Sequence, residues 1–536
     1  MTGADLLVKT LLENNVEYIF GHPGDETAIF KSLFSKKIKF ITTRHEQGAA
    51  FMADAYARTS GKFGVCYSTL GPGGTNLMTG IANAFLDRSP VIAFSDQVEL
   101  SELHKGAHQY LDLTKIFEPI TKFAVTVENA EMIPNILNDA LQIALRERPG
   151  PVHITLPKDV LRSEVYQFPN SKKFAAEIPK KIINKKLLNI VAKLLNESKA
   201  PIAIVGNLVN RKKLNKSLLK FIEMHNIPTF TTYMGKGAIP ESHPLSLGVM
   251  SRHAKNQLIE IFEKANLVIL IGFDYVEGIK PDIWKMGNKK SVISFEDSIH
   301  TEGIFYKPDI IISKLEAETL DYIIPINHTL SSKLWINVPK VRKEIAKKIR
   351  SKNVKSKNKL TPEDIMDAIS SLGQKWIVTA DVGLNKYAVG LCLKTDRPNS
   401  VFFSNGLSSM GFSVPAAIGV KLANPKSTVI SISGDGGFLM NLQELETSTR
   451  SGTNITFIVF KDNNLGLIKR MHLNEFNNHI GVEIGNPDFV KLAQAFGMKG
   501  AYIRTKAEFK TALKKAIKSK KSWILEIPIT YKSWLE

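Results

Sequence analysis

The 536-residue sequence predicts an α/β protein of three doubly wound parallel-sheet domains. Two observations carry that expectation. Short β-type apolar runs alternate with helical patterns along most of the chain, the order that builds βαβ units and covers a parallel sheet with helices. The alternation breaks at the polar stretch after Leu161 (RSEVYQFPNSKKFAAEIPKK) and at the basic stretch Lys340 to Lys359 (KVRKEIAKKIRSKNVKSKNK), so the domains are expected at about 1–165, 180–335 and 358–536.

In the first region YIFG, KFITTR, GVCYST and PVIAFSD read as strands, with HEQGAAFMADAYARTSG as a helix between two of them. The central region offers PIAIVG and NLVILIGF as buried strands. Neither is followed by Gly-x-Gly-x-x-Gly, so a nicotinamide-type dinucleotide site is not expected and the domain reads as a scaffold.

The third region carries most of the chemistry. TVISISG ends in Gly434-Asp435-Gly436-Gly437, the helical pattern NLQELETSTRSG follows, and ITFIVF ends in Lys461-Asp462-Asn463-Asn464, which together make one βαβ unit. Its strands point the same way, so Asp435 and Asp462, 27 residues apart, both emerge at the carboxyl ends where open α/β sheets bind ligands. Gly436 and Gly437 leave backbone N–H groups uncovered ahead of a helix whose start is expected at Asn441, with Glu444 completing an Asn-x-x-Glu capping box. An anion is expected there. A hard cation between two carboxylates and a phosphate fits Mg²⁺. A GDGG alone reads equally well as a tight turn; the Asp462-Asn463-Asn464 run after the next strand favours a site.

Composition narrows the class. The chain is 43% apolar and 23% charged, without a membrane-length apolar run, and MTGADLLVKTLLENN lacks the apolar stretch of a signal peptide. A cytoplasmic protein without membrane contact is expected. Cys66 and Cys392 lie inside apolar runs and read as small buried hydrophobes rather than a disulfide or zinc site. The net charge of +20 raises nucleic-acid binding as a question. Lys340 to Lys359 contains no aromatic residue to stack on bases, so a solvated helix and linker are expected and no nucleic-acid partner. A diffuse lysine excess would draw small anionic substrates.

GDGGFLMNLQELETSTRSGTNITFIVFKDNN resembles the motif of thiamine diphosphate enzymes. The resemblance implies that Gly434, Asp435, Gly436 and Gly437 hold the diphosphate and its metal, that the Asp462 side chain is a second metal ligand, and that Asn464 supplies its backbone carbonyl. Asp462 takes the place of the commoner Asn, which keeps an oxygen ligand and adds charge. Glu46, in Thr43-Arg44-His45-Glu46-Gln47-Gly48-Ala49-Ala50, would by itself be a favourable charge at a helix start. RHEQGA, with YSTLGPGGTN and AFLDRSPVIAFSDQ downstream, is similar to the family's pyrimidine-binding domain, which makes Glu46 its activating glutamate. A carboxyl group at N1′ of the aminopyrimidine favours the imino tautomer, whose nitrogen can remove the thiazolium C2 proton; such help is typically worth about 10²–10⁴ in rate.

By the same resemblance Met410, in SNGLSSMGFSVPAAIG, is the apolar side chain under the cofactor, Ser408 and Met410 meet the pyrimidine through their backbones, and Asp381-Val382-Gly383-Leu384-Asn385 (DVGLN) is the other diphosphate-side loop, with Gly383 and Asn385 as its cofactor contacts. The three regions become pyrimidine-binding, central Rossmann-like and diphosphate-binding domains. Glu46 and the metal site then come from different subunits, so a homodimer is the minimum and a homotetramer is common.

Nearly the whole chain is similar to acetolactate synthases, and most closely to the catabolic branch, which uses neither FAD nor a regulatory subunit. His108-Gln109-Tyr110-Leu111-Asp112, IGFDYVEGIKPDIW, HIGVEIGNPDF and EIPITY carry that likeness, while KGAIPESHPLSLG is shared with the biosynthetic branch. GFDYVEG lacks the arginines of the biosynthetic segment, and Met471 replaces that branch's substrate-side Trp, so no FAD requirement is expected. The implied reaction decarboxylates pyruvate, a small 2-oxo acid, and joins the two-carbon unit to a second pyruvate, giving 2-acetolactate and carbon dioxide. Gln109 is the candidate for orienting the substrate, with a plain turn amide as the alternative. Rival readings are a 2-oxo acid decarboxylase, a sulfoacetaldehyde-type acetyltransferase that uses phosphate, or, more remotely, a non-enzymatic binding protein on the same fold.

Overall fold

Three six-stranded sheets form the framework, and every pairing between their strands is parallel. The computed structural model describes the chain except residues 35, 167–183, 279, 285–289, 298–307, 324–333, 350–359, 374, 530 and 532–536. Much of each expected join, 167–183 and 350–359, lies outside the described residues.

The first sheet contains β1 Tyr18–Gly21, β2 Lys39–Thr42, β3 Gly64–Ser68, β4 Val91–Gln97, β5 Ala124–Thr126 and β6 Val152–Pro157, in the order β2-β1-β3-β4-β6-β5. The second contains β7 Pro201–Val205, β8 Thr229–Thr231, β9 Ser246–Val249, β10 Leu267–Ile271, β11 Ser291–Phe295 and β12 Ile310–Ile312, in the order β12-β11-β10-β7-β8-β9. The third contains β13 Trp376–Ala380, β14 Val401–Phe403, β15 Thr428–Gly434, β16 Ile455–Lys461, β17 Lys499–Tyr502 and β18 Trp523–Pro528, in the order β14-β13-β15-β16-β18-β17. The first and third sheets share one topology. Strands such as GVCYS and LVILI are apolar without alternation because helices cover both faces, and every residue in them is buried.

Helix Glu46–Ser60 has its N-cap at His45, whose ring nitrogen accepts from Gln47 N, and it stops at Gly61 in the left-handed region at φ 73°. It carries Gly48, Ala49, Ala50, Ala53, Ala55 and Ala57, so its backbone can approach a neighbour closely. That neighbour is helix Ser413–Ala423 of the third region. A Cβ added at Gly419 would lie 2.2 Å from the carbonyl oxygen of Met52, and the rings of Phe51 and Phe412 meet edge-on at 5.5 Å. The outer two sheets therefore share one apolar core.

One expectation needs adjustment. Cys66 is buried, but Cys392 is only half-buried because it ends the helix Leu384–Cys392. Of the basic stretch, the part up to Ile349 belongs to helix Val338–Ile349, and 350–359 lies outside the described residues. No helix among the described residues is long and apolar enough to cross a membrane.

Candidate active site

In the third sheet β13 lies beside β15, and the chain leaves their carboxyl ends toward opposite edges of the sheet, which opens a crevice at that switch point. A cavity of about 110 Å³ occupies it. Gly383, Asn385, Met410, Gly434, Asp435, Gly436, Gly437, Asp462 and Asn464 all line this cavity, with Tyr531 from near the chain's end.

The ladder explains the convergence. Gly434 pairs with Phe460, so β15 and β16 end within one residue of each other and release Asp435 and Asp462 at neighbouring strand ends. Oδ2 of Asp435 accepts from the backbone N–H groups of Asp462 at 3.2 Å and Asn463 at 2.8 Å, and from Nδ2 of Asn486 at 2.7 Å. Asn463 allows the turn by taking a left-handed φ of 57°. Burial and then the neighbouring Asp435 charge push the Asp462 carboxyl up to about 7. The Asn464 side chain is spent on the loop, donating to Asp462 O at 2.6 Å and accepting from Lys469 Nζ at 2.7 Å. The bridge to Glu483 uses Asn463 O and Leu465 N, which keeps the carbonyl of residue 464 out of the ladder.

Asp381 braces the other wall. Its buried carboxyl accepts from Val382 N, Gly411 N and Ser413 N at 2.8–3.0 Å, tying the Gly383 loop to the turn that carries Met410, and burial raises it to about 6. Gly437 permits this arrangement, since a Cβ there would lie 2.6 Å from Asp381 Oδ1. A Cβ at Gly436 would sit 3.4 Å from Met410 Cε, and Gly383 has φ 120°. Two carboxylates and a carbonyl are hard oxygen donors, and the glycines clear a cradle beside them, so these residues fit a divalent cation with a diphosphate.

The expected capping box does not form. A helix starts directly on the strand end at Asp435, the next begins at Glu444 with Gln443 as its cap, and Asn441 Nδ2 instead donates to Gly411 O at 2.9 Å. The Glu444 carboxyl is drawn away by partners in the first region, Arg44 N and His45 N.

Other candidates lie apart from this cavity. Glu46 is 6% exposed, with Oε2 accepting from Asn76 Nδ2 at 2.9 Å. Gly73 keeps space beside it, because an added Cβ would be 3.3 Å from Glu46 Oε1. Gln109 is exposed at φ 60° and packs on Gly71, the N-cap of helix Pro72–Leu86, which also bears Asn76. Ser408 is exposed at φ 55°, with Lys386 Nζ 3.4 Å from its Oγ and donating to Ser404 O at 2.9 Å. Burial pulls the Lys386 ammonium down to about 8. Met471 is 57% exposed on helix Gly466–Phe476.

Asn486 and Tyr531 were not singled out from sequence, and Asp381 was placed only as the first residue of the diphosphate-side loop. All three sit in segments that carry the family likeness, DVGLN, HIGVEIGNPDF and EIPITY, but nothing in spacing separates them from packing residues. A larger cavity of about 270 Å³, lined by Arg58, Arg88 and Arg211 among others, contains none of the candidate residues.

Family models of thiamine pyrophosphate enzymes match along the chain: the N-terminal TPP binding domain at residues 1–116, the central domain at 188–320 and the C-terminal TPP binding domain at 381–527. The "Probable acetolactate synthase large subunit" of Methanococcus aeolicus is 35% identical over 551 residues, covering 99% of this chain and 92% of the relative. The protein of the same name from Methanocaldococcus jannaschii is 36% identical over 543 residues, with the same coverage. The "Acetolactate synthase" of Bacillus subtilis is 29% identical over 543 residues, covering 99% and 93%.

Proposed function

Since the chain belongs to the acetolactate synthase family of thiamine pyrophosphate enzymes, we propose that Asp435, Asp462 and Glu46 direct its condensation of two pyruvate molecules to 2-acetolactate and carbon dioxide. The observation that carries this is the meeting of Asp435 and Asp462 in a glycine-cleared cavity at the switch point of the third sheet.

The two carboxylates and the carbonyl of Asn464 would hold Mg²⁺, and the Gly434–Gly437 turn with Gly383 and Asn385 would receive the diphosphate. Met410 offers an apolar surface under the cofactor, and the backbones of Ser408 and Met410 would meet its pyrimidine. Thiamine diphosphate, when bound, supplies the thiazolium that takes up the electron pair released with carbon dioxide. Glu46, whose side chain is buried, would hold a proton at N1′ of the pyrimidine. Gln109 orients the substrate.

The division of these residues supports a homodimer, or a homotetramer built from such dimers, with each site shared between chains. No residue of 1–165 lines the cavity around Asp435, whereas Glu46 faces Asn76 within the first region. Helix Gly466–Phe476 borders that cavity with no buried residue, and Ile468, Met471, Leu473 and Phe476 are exposed on it, an apolar surface suited to a second copy. The methanogen relatives are named large subunits, which favours asking as well whether a smaller chain joins the assembly.

Independence from FAD is supported by the crevice between β7 and β10. The backbone N–H groups that open helix Asn207–Arg211 are already engaged, Asn207 N by Glu277 Oε1 at 3.0 Å and Leu208 N by Gly272 O at 3.3 Å. Thr232 Oγ1 donates to the other oxygen of Glu277. A flavin nucleotide's phosphates would have to displace this carboxyl.

Incubation with pyruvate, thiamine diphosphate and Mg²⁺, with and without FAD, followed by product identification tests the reading. We expect 2-acetolactate in both; acetaldehyde, or acetyl phosphate in phosphate buffer, would sink it.

A further inference from the structure

Helix Glu444–Arg450, which follows the diphosphate-side glycines, reaches across to the turn that carries Glu46. Glu444 is completely buried. Its Oε1 accepts from Arg44 N at 3.0 Å and His45 N at 3.1 Å, and its Oε2 accepts from Thr447 Oγ1 at 2.6 Å. At the far end of the same helix Arg450 donates to the carbonyl of Thr42 and is itself steadied by Glu446 at 2.9 Å. One helix of the third region thus grips the first region's turn on both sides of Thr43. Gly48 makes the approach possible, because a Cβ there would lie 2.7 Å from Glu444 Oε1.

We propose that Glu444 is a positioning residue for Glu46, fixing from the third region the strand-to-helix turn that aims the Glu46 carboxyl at the cofactor. The proposal rests on the assignment of Glu46 as the activating acid. The two gripped amides belong to the residues directly before Glu46, so any slackening of the turn is passed to its carboxyl within one peptide unit. A displacement of about 1 Å at such a group can cost about 10² in rate. Removing the acceptor also strands two backbone donors. Burial pushes the Glu444 carboxyl up to about 7, and Oε1 can accept both amides with or without the proton, so a neutral amide oxygen is a fair substitute.

The test is C2 proton exchange of bound thiamine diphosphate, followed by quenched-flow NMR in the holoenzyme at saturating cofactor and Mg²⁺, with thermal unfolding and pyruvate kinetics alongside. Glu444→Ala should exchange about 10–100-fold more slowly, with kcat falling much more than KM changes, while Glu444→Gln recovers most of the wild-type rate. Glu46→Gln is the control. Slow exchange in Glu46→Gln with wild-type exchange in Glu444→Ala overturns the proposal. Wild-type exchange in Glu46→Gln overturns the assignment of Glu46 instead. Should Glu444→Ala fail to fold, Gly48→Ala, which pushes on Glu444 Oε1, replaces it: slowed exchange supports the proposal, and an unchanged rate rejects it.

Discussion

The backbone N–H of Asp462 donates to Oδ2 of Asp435 at 3.2 Å, so the main chain itself holds the two acids of adjacent strands in fixed relation. Asn486 Nδ2 reaches the same oxygen at 2.7 Å and sets its orientation. Asp435→Ala should lose both activity and Mg²⁺-dependent retention of thiamine diphosphate on gel filtration, and Asp462→Asn should keep them because an oxygen ligand remains. Asn486→Ala should weaken Mg²⁺ affinity by about 10–100-fold, as loss of a partner that orients a ligand usually does. Dialysis against a chelator should abolish turnover, and Mg²⁺ should restore it. An Asn486→Ala protein with wild-type Mg²⁺ affinity would count against this arrangement.

Glu46→Gln should retain metal and cofactor yet slow C2 proton exchange by about 10²–10⁴, the usual worth of general acid–base help. Isothermal titration and exchange measured on one sample separate the two effects. Loss of cofactor affinity without a change in exchange would contradict the assigned role.

The proposed sharing of each site between chains predicts rescue by mixing. Chains carrying Glu46→Gln and chains carrying Asp435→Ala should each be inactive alone. Co-expressed, they should form heterodimers with one site intact and one doubly defective, and activity should return. No recovery in a purified heterodimer would mean that one chain supplies a whole site.

Glu277 predicts a pH effect on stability. Burial raises its carboxyl from 4.5 to about 8, so in the folded chain it keeps its proton over a range where the unfolded chain has lost it. Its contribution is therefore full below about 4.5 and falls away as the pH rises toward 8. Denaturant unfolding at several pH values should give a shallower decline for Glu277→Gln than for wild type. Equal slopes would place the proton elsewhere.

The alternation of apolar runs and helical patterns made the parallel sheets legible, because strands buried on both faces must be apolar throughout. TVISISG and ITFIVF also announced Asp435 and Asp462, since both acids follow directly from strand ends. Glu444 misled: three residues after Asn441 it has the spacing of a capping box, but the backbone amides it accepts from lie about 400 residues away and local spacing cannot report them. The bracing role of Asp381 was hidden for the same reason, its bonds to Gly411 and Ser413 being set by tertiary approach. Glu46 looked like an ordinary helix-start carboxylate from spacing alone; only the likeness of RHEQGA to a known family distinguished it.

Helices Glu46–Ser60 and Ser413–Ala423 touch backbone to backbone at Gly419 and Met52, and that contact sets what the sequence is free to become. Where two main chains meet there is no side chain to trim in compensation, so a larger residue at Gly419 cannot be accommodated by any change at position 52. Drift is barred there. The solvated exterior has no such restriction, and lysines can accumulate on it without disturbing the helix crossing. The net charge of +20 can thus be read as a record of tolerance at the surface, alongside a joint between the outer halves that admits almost none.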